Sequence, residues 1–300
     1  MSNRGVSNRR ARLIVHWAVV TALGLAAAPA FAGFAGTDFY LPGVAQLVIS
    51  NDIQWHSTLW ISNPSATDSV SVTVSFLKLN HANTDPASFQ ETIGAGQTRV
   101  YFDVLQSMFQ ETDSGGALHV VSTLPVVALI RTYNQTFFGD LPNSPTKGQS
   151  FGGIPANLSI GPGQTTRLLG AVVGSPLFRY DFGMLETSGQ PATIRVVLKD
   201  ETGTTLTTHD YFLRPFEYAQ YMTDQLAPGL PASDAILEET VVSPGGKAIL
   251  TASLIDNQSQ DPTAIEMTYP AEVLAVPPGS AAGAQTTAVP PARAETIVAR

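Results

Sequence analysis

Apolar and polar residues alternate strictly between Val70 and Phe76. Positions 70, 72, 74 and 76 are apolar, and Ser71, Thr73 and Ser75 separate them. Because successive side chains of a strand point to opposite faces of a sheet, this pattern predicts a half-buried strand. Short apolar segments recur at intervals of about 8–12 residues, with turn-forming residues between them. Strands do not alternate with long amphipathic helices, so the pattern predicts an all-β fold of antiparallel sandwich type.

One short helix is predicted among these strands. Asp103 is expected to be its N-cap, and the helix runs through Phe109 until Gly115 and Gly116 end it. The next two predicted strands, separated by a turn near Pro125, are Leu118–Ser122 and Val126–Tyr133.

The order of these segments is repeated once along the chain, from residues 40–143 to residues 155–270. The corresponding segments are Val44–Ser50 with Thr166–Val173, Leu59–Ile61 with Phe182–Met184, Val70–Phe76 with Ile194–Leu198, and Val126–Asn134 with Ala248–Asn257. The duplication predicts two tandem Ig-like antiparallel β-sandwich domains, over residues 33–145 and 155–270.

Three further segments lie outside these two domains. Residues 1–32 have a basic start, an apolar stretch and a closing Ala30-x-Ala32, which predicts a cleaved signal peptide and a secreted or periplasmic protein. Residues 146–154 are expected to be a linker because their neighbourhood is rich in Pro, Gly and Ser. Residues 271–300 are rich in Ala and Pro and lack periodicity, so a disordered tail is predicted.

The composition restricts the chemistry that the protein can perform. There are no cysteines, which excludes disulfides, thiolate nucleophiles and thiolate metal sites. The net charge is −8, and removing residues 1–32, with four arginines and no acid, makes it −12. A negative chain without a basic patch argues against nucleic acid or anionic lipid as a partner. No segment after residue 32 is apolar enough to predict a membrane span.

Several phrases of the sequence are similar to those of a known group of proteins. They are Tyr40-Leu41-Pro42, Trp60-Ile61-Ser62-Asn63-Pro64-Ser65, Asp103-Val104-Leu105, Arg131-Thr132-Tyr133-Asn134, Gly152-Gly153-Ile154-Pro155-Ala156 and Ile255-Asp256-Asn257. Together they resemble an uncharacterised family of secreted bacterial proteins with paired Ig-like β-sandwich repeats. The resemblance covers about residues 40–270 and implies the fold, but it supplies no catalytic residue.

The sequence contains no complete catalytic motif. Asp113-Ser114-Gly115 matches the tripeptide of aspartic proteases, but those enzymes need two such carboxylates and no second copy is present. The histidines after residue 32 are not at metal-ligand spacing, and no Gly-x-Ser-x-Gly occurs there. The polar loop from Asp256 to Asp261 could hold calcium, but it lacks the usual glycine, and a self-bonded turn is the favoured interpretation. We therefore expect no enzyme activity and no cofactor.

The best candidate binding residues are Trp55, Trp60, Asn63 and Ser65, which combine two large rings with turn signals. Alternation places Trp60 on the face opposite Leu59 and Ile61, so Trp60 is expected to be the more exposed ring.

These features predict an exported non-catalytic protein that acts in adhesion, cell-surface structure or ligand binding, with a glycan or a surface protein as partner. The alternative is a secreted hydrolase or lyase whose site is assembled from scattered carboxylates such as Asp103, Asp181 and Asp256.

Overall fold

The computed structural model describes residues 35–50, 53–135, 146–231 and 233–274. The predicted signal peptide, and all of the predicted tail except residues 271–274, lie outside this part of the chain. The described residues form antiparallel strands with only short helices, so the all-β prediction is confirmed. No helix within the described ranges is long and apolar enough to cross a membrane.

The strands, in chain order, are β1 (Ala35–Ser50), β2 (Ile53–Ser62), β3 (Val70–Lys78), β4 (Ser88–Ile93), β5 (Thr98–Tyr101), β6 (Ser114–Gln135), β7 (Thr146–Gly152), β8 (Ile154–Pro155), β9 (Thr165–Val173), β10 (Phe178–Glu186), β11 (Ala192–Asp200), β12 (Thr205–Leu213), β13 (Tyr218–Met222), β14 (Ser233–Val241), β15 (Ala248–Asp256) and β16 (Pro262–Glu266). The helices are α1 (Val104–Phe109), α2 (Thr223–Leu226) and α3 (Ala271–Leu274), and a single 3₁₀ turn covers Ala156–Leu158.

Residues 156–274, the second half, contain two four-stranded sheets. One has the order β12-β11-β14-β9 and the other β13-β10-β15-β16. The sheets pack face to face through alternate apolar positions, such as Ile194 and Val196 from one sheet and Phe182 and Met184 from the other. This is the packing of a β-sandwich, in which every second residue of each strand enters a shared core.

Residues 35–155, the first half, bury a second apolar cluster inside a single eight-stranded sheet. The sheet is continuous because β6 is 22 residues long and changes partners along its length. Its first part pairs with β1 and β3, and its last part pairs with β2 and β7.

The predicted turn near Pro125 is therefore wrong, because the strand continues through it. Val121 pairs with Asp38 and Val126 with Gly36, so residues 122–125 bulge opposite one residue of β1. A proline, which has no N–H to donate, is tolerated at such a bulge.

The strand pairings of the two halves correspond to one another. In the first half β2 pairs with β5 and with the end of β6, and in the second half β10 pairs with β13 and β15. Likewise β3 pairs with β4 and β6, as β11 pairs with β12 and β14. The long β6 thus occupies the place of two separate strands, β14 and β15.

The segment predicted as a linker, residues 146–154, forms strand β7 and enters β8. β7 pairs with β6 over its whole length and lies against the second half, where Gln149 donates a hydrogen bond of 2.6 Å to Ser253. Further hydrogen bonds join the halves, including Asn80 N to Tyr218 O at 2.8 Å. We call this boundary between the halves the seam.

Helix α1 begins after Asp103 and ends at Phe109, as predicted, but Gly115 and Gly116 do not end it. Both glycines lie in β6. Position 116 requires glycine because β6 and β3 approach each other closely there. A Cβ atom at this position would lie 2.0 Å from the Leu77 carbonyl oxygen.

Candidate functional site

Trp55 and Trp60 lie in the same strand, β2, but they project from opposite faces of the sheet. The pairing of β2 with β6 is regular over this stretch, so alternation holds without a bulge. Leu59 and Ile61 are buried in the core, and Trp60 lies on the other face, as predicted. Trp55 and Trp60 are both partly exposed. Trp55 lies on the core side and lines a cavity at the seam. The structure therefore does not bring the two rings together.

Asn63 is completely buried in the turn that follows β2. Its side-chain amide donates hydrogen bonds to the carbonyl oxygens of Asp68, Ile93 and Gly94 at 2.8, 3.1 and 3.1 Å. Its Oδ1 accepts a hydrogen bond of 3.0 Å from the backbone N–H of Ser65. All of these contacts close the turn, so the Asn63 side chain has no free group to offer a ligand.

The outer surface of the sheet around Trp60 is apolar and open to solvent. Val100 of β5 and Leu129 of β6 lie directly opposite Trp60 on either side and are 41% and 40% exposed. Val127, two residues before Leu129 on the same face of β6, is also exposed. The residue of β7 that pairs with Leu129 is Gly152, which has no side chain to cover this surface. We call the surface formed by Trp60, Val100, Val127 and Leu129 the Trp60 face.

Polar groups border the Trp60 face. Ser62 and Thr98 pair beside Val127, and their hydroxyls are 3.0 Å apart. At the other end, Arg131 lies over the ring of Tyr133, with its guanidinium carbon 4.8 Å from the ring centre. The face thus presents a flat apolar centre with hydrogen-bonding groups at both ends.

A His–Asp pair lies at the far end of the same sheet surface. Asp103 occupies the N-cap position of α1 in a left-handed conformation with φ 49°, and its side chain makes no cap hydrogen bond. It faces His56 instead, with Oδ1 3.3 Å from Nδ1. The cap position of Asp103 is predicted from the sequence but its contact with His56 is not, because only the folded chain brings β2 and the start of α1 together.

A cavity of about 230 Å³ lies at the seam. From the first half it is lined by residues of β1, β2, β6 and β7, among them Trp55, Gln149 and Phe151. From the second half it is lined by the face of β10, β13 and β15 that is turned away from the second core. We call it the seam cavity.

Strand β10 places Arg179 and Asp181 in the seam cavity, because Tyr180, Phe182 and Met184 of the same strand fill the second core. The Asp181 side chain is 14% exposed, and its Oδ2 lies 3.8 Å from Arg179 Nε, beyond hydrogen-bond distance. Burial raises the pKa of the Asp181 carboxyl to about 6, although the Arg179 charge opposes the change.

The three acids of the predicted hydrolase alternative occupy different surroundings. Asp103 faces His56, and Asp181 lies in the seam cavity. Asp256 lies three positions beyond the partner of Asp181 on β15, so it points to the other face. Its Oδ1 accepts backbone hydrogen bonds from Gln258 and Ser259 at 2.8 and 2.6 Å. Within the described ranges, no group of three or more His, Cys, Asp or Glu is placed to hold a metal ion.

Two further titratable groups, Glu239 and His119, have unusual surroundings. Glu239 of β14 is fully buried, and neither carboxyl oxygen has a hydrogen-bond partner among the described residues. Burial raises its pKa well above the ordinary value, and the neighbouring Glu238 adds to the effect. His119 lies 2.8 Å from Asp38 and stacks on the Tyr40 ring at 4.4 Å. Glu239 lies between Leu237 and Val241 at alternate positions of β14, and this period of two is the signal that could have placed it in the core. His119 stands in no local motif.

Comparison with known proteins gives little guidance. No family model matches the chain, and no curated protein matches it. Among solved structures the chain is similar to the Lactobacillus rhamnosus Beta-glucuronidase, with 12% identity and a TM-score of 0.15. That match covers 82% of this chain and 37% of the other, so the chain spans well under half the length of that protein. A likeness of this degree carries no argument about fold or activity.

Proposed function

We propose that the protein is an exported, non-catalytic binding module and that the Trp60 face is its contact surface for a glycan. The observation that carries the proposal is the row Val100–Trp60–Leu129, which places a partly exposed indole ring between two exposed apolar side chains on a regular sheet. Aromatic and aliphatic groups that remain exposed side by side mark interaction surfaces more often than isolated ones do.

A glycan fits the chemistry of this surface. The apolar faces of sugar rings pack on flat aromatic side chains, and Trp offers the largest such area at low entropy cost. Ser62, Thr98 and Arg131, which border the Trp60 face, supply hydroxyl and guanidinium groups for the sugar hydroxyls. The predicted net charge of −12 after removal of residues 1–32 favours a neutral or cationic partner over an acidic one.

The hydrolase or lyase alternative finds less support. Asp103, Asp181 and Asp256 have separate neighbours, and a glycoside hydrolase needs its two carboxyl groups on either side of one bond. A lone acid can position a ligand, but it cannot supply both the acid and the base.

The test is a glycan-binding screen of the exported protein, purified after its intact mass has been compared with a start at Gly33. Trp60→Ala should weaken binding by tenfold or more, since a central ring often dominates an interface. Its effect on stability should be below the about 3–5 kcal/mol typical of a fully buried Trp.

The matched control is Phe212→Ala, which removes an exposed ring from β12 in the second half and should leave glycan binding unchanged. The proposal is wrong if Trp60→Ala binds as well as wild type, or if no glycan binds. A mass that retains residues 1–32 would contradict the secreted part of the proposal.

A further inference from the structure

Two buried side-chain oxygen atoms without a hydrogen-bond partner lie at the seam cavity. Asp181 Oδ1 is buried and has no hydrogen-bond partner among the described residues, and Gln149 Oε1 is in the same state. The two side chains meet at Ser253, which pairs with Asp181 across the β10–β15 ladder and accepts the hydrogen bond of Gln149. Buried acceptors without partners are rare in folded proteins because each costs free energy. Their presence around one cavity indicates that something else completes them.

The arrangement of the Gln149 amide does not alter this conclusion. Turning the amide by 180° would let its oxygen accept from the Ser253 hydroxyl, but its NH₂ group would then take the position of the unpartnered oxygen. In both orientations one polar amide atom of Gln149 lacks a partner.

The cavity is kept open by small residues and lined by rings. Gly183 lies on the same face of β10 as Asp181, and a Cβ atom there would approach the Tyr218 hydroxyl to 2.5 Å. Gly43, at φ +72°, leaves the opposite wall free, with Phe151 close by. Larger residues at these two positions would fill the space or displace its walls.

The size and charge of the cavity restrict what it can hold. A volume of about 230 Å³ is that of about eight waters at roughly 30 Å³ each. A ligand of one sugar ring would occupy such a space. Its lining includes one cation, Arg179, and one carboxyl group, Asp181, so their formal charges cancel. The cavity reaches the surface beside the end of β1, because Ile49, one of its lining residues, is 65% exposed.

We propose that the seam cavity is a binding site for a small, neutral, polyhydroxylated molecule, one sugar ring or a polyol of similar size. Asp181 and Gln149 accept hydrogen bonds from ligand hydroxyls, and Arg179 and Gln220 donate to them. Trp55, Phe151 and Tyr218 contact the apolar parts of the ligand. The site is separate from the Trp60 face, because Trp55 and Trp60 project from opposite sides of β2.

Binding should depend on pH through Asp181. The ionisable groups that line the cavity are Arg179 and Asp181 on β10 and Tyr218 on β13, and none comes from the strands of the first half. Tyr218 stays neutral throughout the accessible range, since burial raises its pKa further above its usual value. Affinity should therefore fall as the pH is lowered through about 6, where Asp181 becomes protonated and loses acceptor capacity.

The experiment is calorimetric titration of the full exported chain with glucose, galactose, N-acetylglucosamine and sorbitol, and with glycine and glutamate for comparison. A neutral sugar or polyol should bind, and Asp181→Asn should weaken it by tenfold or more and remove the pH dependence. The same substitution should raise the melting temperature at pH 8, because it removes a buried charge. Lower affinity together with higher stability separates loss of the site from misfolding.

Asp234→Asn, at an exposed aspartate of β14, is the matched control. It should change neither the affinity for the ligand nor the melting temperature. The inference is overturned if none of the neutral compounds binds at millimolar concentration, which would leave a water-filled cavity, or if only the amino acids bind. It is also overturned if Asp181→Asn binds as wild type does. Trp60→Ala must leave this titration unchanged, so loss of binding in that variant would assign the ligand to the Trp60 face instead.

Discussion

Glu239 and Glu238 are neighbours on β14 with opposite electrostatic surroundings. Glu239 enters the second core, where burial raises its pKa well above the ordinary value. Glu238 points outward and contacts Lys199 at 2.8 Å and Arg167 at 3.1 Å. The hydrogen bond from Lys199 lowers the pKa of Glu238. Alternation along one strand thus gives two adjacent carboxyl groups that affect stability in opposite directions.

Replacement of Glu239 by Gln should raise the free energy of unfolding at pH 8 and have little effect at pH 4. Above the unfolded pKa of about 4.3, the unfolded chain loses a proton that the folded chain keeps, so the wild type becomes less stable as pH rises. Gln cannot ionise and removes this dependence. The gain should be absent near pH 4 and should grow as the pH is raised to 8. Denaturant unfolding at pH 4, 6 and 8 measures it.

Glu238→Gln is the matched control, and its effect should have the other sign. The stability that Glu238 contributes is present above its unfolded pKa and is lost as the pH falls, so Glu238→Gln should be neutral or mildly destabilising at pH 8. Equal behaviour of the two variants would contradict the assignment of Glu239 as a buried protonated acid.

At the scale of elements, glycines allow the strands around β6 to approach each other. Gly116 pairs with Lys78 on one side and Val44 on the other, and its missing Cβ leaves room for the Leu77 carbonyl. Gly152, at the end of β7, has nothing within 4 Å of the position that a Cβ would take. Of these two glycines, only Gly116 is required by the close approach of a neighbouring strand.

Gly116→Ala should destabilise the protein by about 2–4 kcal/mol, because the added methyl group meets backbone that cannot move without breaking the ladder. Gly152→Ala, the matched control, should stay within about 0.5 kcal/mol of wild type. Thermal unfolding followed by circular dichroism compares the two. A Gly116→Ala protein as stable as Gly152→Ala would show that β3 and β6 are not held at the spacing described.

At the scale of the whole molecule, the seam joins the two halves through side chains and backbone. Asn83 is the clearest example, since its amide donates to Phe216 O at 2.9 Å and its backbone N–H donates to Pro215 O at 3.0 Å. Tyr40, buried in the first half, donates its hydroxyl hydrogen to Thr187 O at 2.9 Å. Breaking the seam would leave several of these buried groups without partners, which favours unfolding of both halves together.

A core substitution in the second half should therefore destabilise the first half as well. Outside residues 1–32 the only tryptophans are Trp55 and Trp60, and Trp55 borders second-half residues at the seam cavity. In a Trp55→Phe background the fluorescence of Trp60 therefore reports on the first half alone. Leu237→Ala, in the second core, should cost about 2–5 kcal/mol and lower the midpoint of the tryptophan signal. Leu177→Ala, at an exposed position of the second half, is the control. An unchanged tryptophan midpoint in Leu237→Ala would mean that the halves unfold independently.

The sequence by itself determined the local elements of this protein. Strict alternation over Val70–Phe76 predicted β3, and alternation around Leu59 and Ile61 placed Trp60 on the outer face. Asp103 marked the start of α1. The strand predictions succeed because a strand has a period of two, which is a property of adjacent positions. Asp103 does precede α1, but its side chain makes no cap hydrogen bond and faces His56 instead.

Only the tertiary structure decided which faces are covered. Arg179 and Asp181 alternate with Tyr180 and Phe182 in the sequence, which is the pattern of a strand with one solvated face. The first half covers that face. Gln149, which is 104 positions away from Ser253 in the sequence, donates a hydrogen bond to it across the seam. Burial of Asp181, the bulge at Pro125 and the strand formed by residues 146–152 all depend on contacts between distant segments. Such contacts leave no local periodicity, so the candidate ligand site became visible only in the folded chain.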